Sequence, residues 1–398
     1  MRQRRTHLSI ARGARSARQL VLFSAGAGPA AAGILHQATG LRVASSRDFD
    51  GALRHAPPAP GEAIVFERLA AAWLHADPDQ ARSLRARAGA LIEDERYVRA
   101  QALPAPICGE ALRDSAQASW GLTATRTLSC RFSGRGVRVA ILDTGLDLQH
   151  PDFAGRDIVS QSFVDGLSCH DGNGHGTFCA GVACGPKQPS QGPRYGVAFD
   201  AQLFVAKVLD DEAGGVDGNV LAGIDWAVRQ HCAIVSMSLG TPALVGDACP
   251  EVYEQVAARA LAAGTLLIAP AGNHSQRPDT ITPVEHPADC PSILAVAALD
   301  QSLTVAPFSN GGLNPHGGEV DLAAPGISIG SAAPRPILYQ TSSGTSMATP
   351  FVAGIAALLA ESNPTARGAA LRALLLQALR ALPALARDVG GGLVQAPQ

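Results

Sequence analysis

The chain has 398 residues, 46% of them hydrophobic, with 32 basic against 34 acidic side chains and a formal net charge of −2. That length allows one large domain and a small one, and can bury a sizeable core. The near-neutral balance gives no field that would hold nucleic acid or an acidic membrane, and no apolar run approaches the roughly 18 residues of a spanning helix.

Residues 1–18 carry Arg2, Arg4, Arg5, Arg12, Arg15 and Arg18 with no acid, and read as a basic N-terminal tail. Arg4-Arg5 has the look of a twin-arginine start, but Leu20-Val21-Leu22-Phe23 is a short run broken by Gly26, Gly28 and Pro29, a poor signal core. Residues 19–100 alternate predicted strands (19–23, 41–44, 63–66, 90–93) with predicted helices (30–39, 79–88), a small α+β unit. Residues 101–116, with Pro104 and Pro106, read as a linker to a larger domain over 117–398.

In that domain, predicted strands at 202–209, 233–239, 265–269 and 293–298 alternate with helices at 218–230 and 250–263. The strands are continuous apolar runs, which implies a parallel sheet covered on both faces. Functional groups then gather at the carboxyl edge. Before them, Val137-Arg138-Val139-Ala140-Ile141-Leu142 is a buried strand that delivers Asp143 at its end. A glycine-rich turn, Asp171-Gly172-Asn173-Gly174, leads to His175 at the start of a small-residue helix. Far downstream, Gly344-Thr345-Ser346 opens a helix that is apolar nearly all round, predicted as buried with its first turn facing a cleft.

A serine before a helix is ordinarily an N-cap. The company it keeps changes that reading. Attack by a hydroxyl needs a base, and the base needs a carboxylate to hold its tautomer. Asp143, His175 and Ser346 supply all three, and a helix N-terminus adds the unpaired N–H groups that suit an oxyanion.

The eight cysteines (108, 130, 169, 179, 184, 232, 249 and 290) form an even set that favours an extracytoplasmic location, but eight allow 105 pairings. Cys249 and Cys290 are the expected exposed pair, while Cys179 and Cys232 are expected as small buried hydrophobes. A metal reading of Cys169, His170, His175, Cys179 and Cys184 lacks paired C-x-x-C spacing and competes for His175, so no metal site is expected.

From 117 onward the chain resembles a subtilisin-like serine protease of the subtilase family. Three blocks stand in family order: Ile141-Leu142-Asp143-Thr144-Gly145, His175-Gly176-Thr177, and Gly344-Thr345-Ser346-Met347-Ala348-Thr349-Pro350. Ala271-Gly272-Asn273, after the apolar run 266–269, is a fourth. The resemblance implies an α/β fold with a subtilisin-like parallel sheet flanked by helices, preceded by a small α+β propeptide-like domain. It implies a serine endopeptidase acting through an acyl-enzyme, with Asn273 and the Ser346 N–H as oxyanion donors. Ser238-Leu239-Gly240 and Ala271-Gly272 become the edges that hold an extended polypeptide. Glu285, two residues before Pro287, becomes the floor of a pocket favouring Arg or Lys before the cut. Residues 19–100 would act as an intramolecular inhibitor and folding aid, with self-processing expected after Arg99.

One part departs from the family pattern. The stretch 184–191 lacks the asparagine-type oxygens of the family's calcium loop, and Asp152 alone does not make a six-oxygen site. No cofactor is expected, calcium included. The same acyl-enzyme would also serve a peptide ligase or macrocyclase, and an inactive peptide-binding module is the alternative of another class.

Overall fold

The computed structural model describes residues 18–49, 56–100, 103–104, 114–315 and 317–398. Most of the basic tail, most of the linker and Cys108 therefore lie outside the described residues.

The first unit has five strands, β1 Gln19–Leu22, β2 Arg42–Ser45, β3 Glu62–Phe66, β4 Ala71–Leu74 and β5 Leu91–Asp94, with helices α1 Ala31–Thr39 and α2 Pro78–Ala88. Their order in the sheet is β2–β3–β4–β1–β5. Helix α2 starts on a capping box: the Asp77 carboxylate accepts from the Asp79 and Gln80 N–H groups at 2.8 Å, and the Gln80 side chain accepts from the Asp77 N–H. Alternation along the strands sorts side chains onto two faces. Val21, Val65, Ala72 and Leu74 join Leu35 and Leu84 under the helices. Leu20, Leu22, Ile64, Phe66 and Trp73 turn the other way, into the core of the second unit.

Two short strands follow, β6 Tyr97–Ala100 and β7 Leu103–Pro104, then helix α3 Trp120–Ala124. The second unit continues with β8 Arg138–Asp143, β9 Ile158–Ser162, α4 His175–Cys184, β10 Gln202–Lys207, β11 Gly214–Val216 and α5 Asp217–Arg229. Next come β12 Ile234–Met237, β13 Leu239–Gly240, α6 Glu251–Ala262, β14 Leu266–Pro270, β15 Ile293–Leu299 and β16 Leu322–Pro325. The last elements are β17 Ile329–Ala332, β18 Tyr339–Ser343, α7 Thr345–Ser362, α8 Ala369–Gln377 and α9 Ala386–Val389.

The main sheet has seven parallel strands in the order β16–β15–β14–β12–β8–β10–β9. Helices α4 and α7 pack against each other and the sheet, while α5 and α6 also pack on its strands and carry the first unit. The α7 residues from Thr345 to Ala360 are all buried, as its lack of a polar face requires.

The two units share one continuous core. Trp73 rests on Gly218 so closely that a Cβ there would come within 2.1 Å of the indole. Arg259 of α6 donates to the Phe23 carbonyl at 2.7 Å and the Ala70 carbonyl at 3.0 Å. Ser46 Oγ donates to Asp225 Oδ2 at 2.8 Å. Glu93 places its carboxylate at the N-terminus of α6, accepting from the Glu251 N–H at 2.8 Å, where the helix dipole favours a negative charge.

Candidate active site

Strand β8 ends on Asp143 and α4 begins on His175, which brings His175 Nδ1 to 2.7 Å from Asp143 Oδ1. Asp143 Oδ1 also accepts from the Thr144 N–H at 2.8 Å, so the carboxylate is aimed by its own backbone. Burial of His175 opposes the imidazolium, but the Asp143 charge outweighs it and holds the ring well above the usual histidine range. Its other nitrogen, Nε2, is buried and has no hydrogen-bond partner among the described residues.

Ser346 sits in the first turn of α7, and Pro350 shapes its surroundings. A proline four residues on has no N–H to give to the Ser346 carbonyl. That carbonyl accepts instead from Ser238 Oγ at 3.0 Å and from Cys179 Sγ at 3.6 Å. In return, Ser346 Oγ donates to the Ser238 carbonyl at 3.2 Å. Cys179 Sγ also lies 3.8 Å from His175 Nδ1, so one thiol touches both the imidazole and the serine's backbone. The structure thus joins Asp143 to His175 and sets Ser346 beside them, with its hydroxyl turned to Ser238.

The turn at 271–273 is tied to the same helix start. Asn273 Oδ1 accepts from the Thr345 N–H at 2.9 Å and from Thr345 Oγ1 at 2.8 Å, and the Gly272 N–H donates to Thr345 Oγ1 at 3.2 Å. This commits the carbonyl end of Asn273 to the turn and leaves its amide as the donor end.

Ser238-Leu239-Gly240 forms an edge that is already occupied. Strand β6 lies antiparallel between β13 and β11. Thr241 exchanges backbone hydrogen bonds with His286 at 2.9 and 3.0 Å, and the Glu285 N–H donates to the Ala271 carbonyl at 3.1 Å. Glu285 is therefore held between the 238–241 edge and the 271–273 turn, buried beneath them rather than turned to solvent. Gly272 has φ +112°, and a Cβ there would come within 2.6 Å of the Glu285 carboxylate. His274 Nδ1 pairs with Glu285 Oε1 at 2.5 Å, and that hydrogen bond raises the His274 pKa. Asn310 Nδ2 donates to the same oxygen at 3.4 Å.

Among the described residues, the one close group of potential metal ligands is Asp143, His175 and Cys179. The His175 and Asp143 atoms already bond each other, and Cys169, His170 and Cys184 do not belong to it. Asp152 receives Tyr195 Oη at 2.6 Å, Tyr339 Oη at 3.0 Å and the Ser190 N–H at 2.7 Å. Three hydrogen-bond donors thus face this carboxylate, where a calcium loop would offer further oxygen acceptors. The seven described cysteines are free thiols, with Cys179 and Cys232 buried. The expected exposed Cys249–Cys290 disulfide is corrected on two points: the bond is not formed, and Cys290 is buried with its thiol toward the Pro250 carbonyl at 3.8 Å.

A profile described as the subtilase family matches residues 134–392. The chain belongs to the subtilase family. It is 37% identical over 241 residues to subtilisin E of Bacillus subtilis, covering 61% of this chain and 60% of that protein. It is 38% identical over 234 residues to thermitase of Thermoactinomyces vulgaris, covering 58% and 78%, and 37% identical over 283 residues to a thermostable alkaline protease of Halalkalibacterium halodurans, covering 70% and 72%. The match to subtilisin E spans less than two thirds of that relative's length. The parallel seven-stranded sheet flanked by helices agrees with the subtilisin-like fold expected from the motifs.

This subtilase also uses residues that motif reading passed over. Asp171 Oδ1 accepts from the Gly174 N–H at 2.7 Å and Thr144 Oγ1 at 2.8 Å, and its Oδ2 accepts from the Thr177 N–H at 2.8 Å. One buried carboxylate thereby joins the end of β8 to the start of α4. An aspartate a few residues before a helix is a readable capping signal, and it was available in the glycine-rich turn.

Proposed function

We propose that this subtilase is a serine endopeptidase that hydrolyses polypeptides through an acyl-enzyme on Ser346. The observation that carries the reading is the 2.7 Å His175–Asp143 pair, with a buried Nε2 left to take a proton. Ser346 Oγ attacks the scissile carbonyl while His175 removes its proton. Asp143 fixes the tautomer that makes Nε2 the base, and Asn273 and the Ser346 N–H hold the developing oxyanion. His175 returns the proton to the leaving amine, and water releases the acyl group. Nothing in these steps calls on a metal or cofactor.

Polypeptide recognition is supported by the edges of Ser238-Leu239-Gly240 and β11, which already hold the extended segment β6 as an added strand. Residues 19–100 act as an intramolecular inhibitor in this reading, because β6 fills that position and the unit's sheet shares the core beneath it. Selectivity for Arg or Lys before the cut belongs to the state in which His274 is neutral, since a protonated His274 already balances Glu285.

The test is hydrolysis of a denatured protein substrate by the purified chain and by Ser346→Ala, with products read by mass spectrometry. Cleavage lost in Ser346→Ala supports the reading. Products carrying new peptide bonds point to a ligase, and cleavage retained by Ser346→Ala sinks the assignment.

A further inference from the structure

A cavity of about 340 Å3 opens beside β17 and β18, and the site described above makes no use of it. Its walls include Asp114, Ser119, Gln191, Tyr195, Tyr339 and Gln340. Asp114 is the one charged side chain among the described residues that line it. Its Oδ1 accepts from the Trp120 N–H at 2.7 Å, which fixes the carboxylate in place. Its Oδ2 faces Gly330, 3.9 Å from where a Cβ would stand, and no basic side chain pairs with it among the described residues.

Tyr195 and Tyr339 both commit their hydroxyls to Asp152, at 2.6 and 3.0 Å, and their rings meet edge to face at 6.2 Å. What they offer the cavity is therefore aromatic surface, backed by a second carboxylate. Ser119 is 3% exposed, and its hydroxyl has no hydrogen-bond partner among the described residues. An unmet buried hydroxyl costs free energy that a ligand's donor would recover. Together these groups suit a guanidinium or an ammonium, which brings charge for the carboxylate, a cation for the tyrosine faces and donors for the hydroxyl and the amides.

The cavity is reached along β18. On one edge this strand pairs with β17, with Thr341 opposite Gly330 and Gln340 opposite Ser331. On the other edge β7 covers only Ser342 and Ser343, placing Pro104 and Leu103 opposite them. Tyr339, Gln340 and Thr341 continue that second edge into the cavity wall. Ser343 is three residues before Ser346, so an extended chain laid on this edge leaves the nucleophile antiparallel to β18 and approaches the cavity at about 3.4 Å per residue. In that register the residue opposite Thr341 comes two after the one opposite Ser343.

We propose that the cavity binds an arginine or lysine side chain of the polypeptide substrate, carried on a residue downstream of the cut. The proposal rests on the serine-protease reading and adds a point of recognition remote from Ser346. Strand β6 holds the edge that leads up to Ser238, and β7 the edge that leads away from Ser343. The residue opposite Ser343 is thus at the earliest the first after the cut, and the one that carries the cation is the third or later.

The experiment uses the purified full chain and a peptide copied from a site that it cuts in a denatured protein. Residues before the cut are held constant, and arginine, lysine, alanine or glutamate is placed in turn at each position after it. In the parent chain, kcat/KM for arginine over alanine is expected to rise about three- to tenfold at one position, the third or later, with glutamate below alanine. In Asp114→Asn, which keeps an oxygen for the Trp120 N–H, the ratio falls toward one, and in Gln340→Arg the order inverts in favour of glutamate. Melting temperatures check that all three forms fold. A ratio near one at every position, a maximum confined to the first two positions, or a maximum that survives Asp114→Asn would overturn the cavity assignment while the protease reading stands. A chain that cleaves neither the denatured protein nor any peptide, and takes up no fluorophosphonate, removes the protease reading itself.

Discussion

His175 Nδ1 and Asp143 Oδ1 are 2.7 Å apart in a setting where both side chains are buried, so the carboxylate meets the imidazole with little solvent screening. The imidazole is consequently easier to protonate than a free histidine, and only the neutral ring can act as base.

That relationship sets a pH dependence. Activity falls as pH drops through the raised His175 pKa, so the acid limb of kcat/KM lies above the usual histidine value of about 6.5. Asp143→Asn removes the raising charge, moves the limb down, and lowers kcat by about four orders of magnitude through the wrong tautomer. A pH–rate profile of both forms checks this, and a limb at or below the ordinary value would contradict it. The same raised pKa stabilises the fold at low pH, a contribution present below the unfolded value and lost as pH rises through the folded one.

Asn273→Ala tests the oxyanion assignment. A drop in kcat of about 10²–10³ with KM little changed is expected, a magnitude established on a subtilisin. Because Asn273 also receives two hydrogen bonds from Thr345, the melting temperature is measured in parallel. A loss confined to KM would assign Asn273 to ground-state binding instead.

If Glu285 floors the proposed specificity pocket, its pairing with His274 makes the pocket's charge depend on pH. The Glu285 hydrogen bond raises the His274 pKa, so above that pKa the imidazole is neutral and the carboxylate is no longer balanced. Preference for Arg or Lys before the cut then grows as pH rises. His274→Ala makes that preference independent of pH, and Glu285→Gln abolishes it. Peptide-library profiling on either side of the transition reads this directly, and identical profiles in all three forms would remove Glu285 from the pocket.

Gly218→Ala tests the proposed inhibitory role of the first unit from a distance. Its new Cβ meets the Trp73 indole, forcing the first unit's sheet away from α5 without touching Asp143, His175 or Ser346. Overpacking of this kind costs typically 1–3 kcal/mol. Freshly processed Gly218→Ala should therefore show less self-inhibition than the parent chain in a progress curve. An unchanged lag would mean that this contact does not hold the inhibitor.

Asp152 bears on ion dependence. With its carboxylate receiving Tyr195, Tyr339 and the Ser190 N–H, addition of EDTA should leave the melting temperature unchanged, whereas Tyr195→Phe should lower it, since the lost hydrogen bond costs about 1–3 kcal/mol of stability. A chelator-induced drop would place a bound ion elsewhere in the chain.

How much of this was legible in the sequence varied with how local the cause was. Asp143, His175 and Ser346 lie in contiguous blocks at β8, α4 and α7, so their residue types and their resemblance to the family's motif blocks marked them as candidates. Strand β4 was not anticipated, because Ala71-Ala72-Trp73-Leu74 is buried on both faces and shows no polar alternation. Strand β6, at the end of the 19–100 unit, and strand β7, inside the 101–116 linker, were not anticipated for a different reason. Residues 97–100 and 103–104 have no strand pattern of their own, and their extended backbone comes from β11, β13 and β18, more than a hundred residues away. Glu285 was singled out by counting back from Pro287, but its partner His274 carries no such signal in the sequence.

The central claim is most directly tested by treating the processed chain with a fluorophosphonate and mapping the modified peptide by mass spectrometry. The account predicts one adduct per chain, on Ser346, absent from Ser346→Ala and strongly slowed in His175→Ala. An adduct on another residue, or equal labelling without His175, would contradict it.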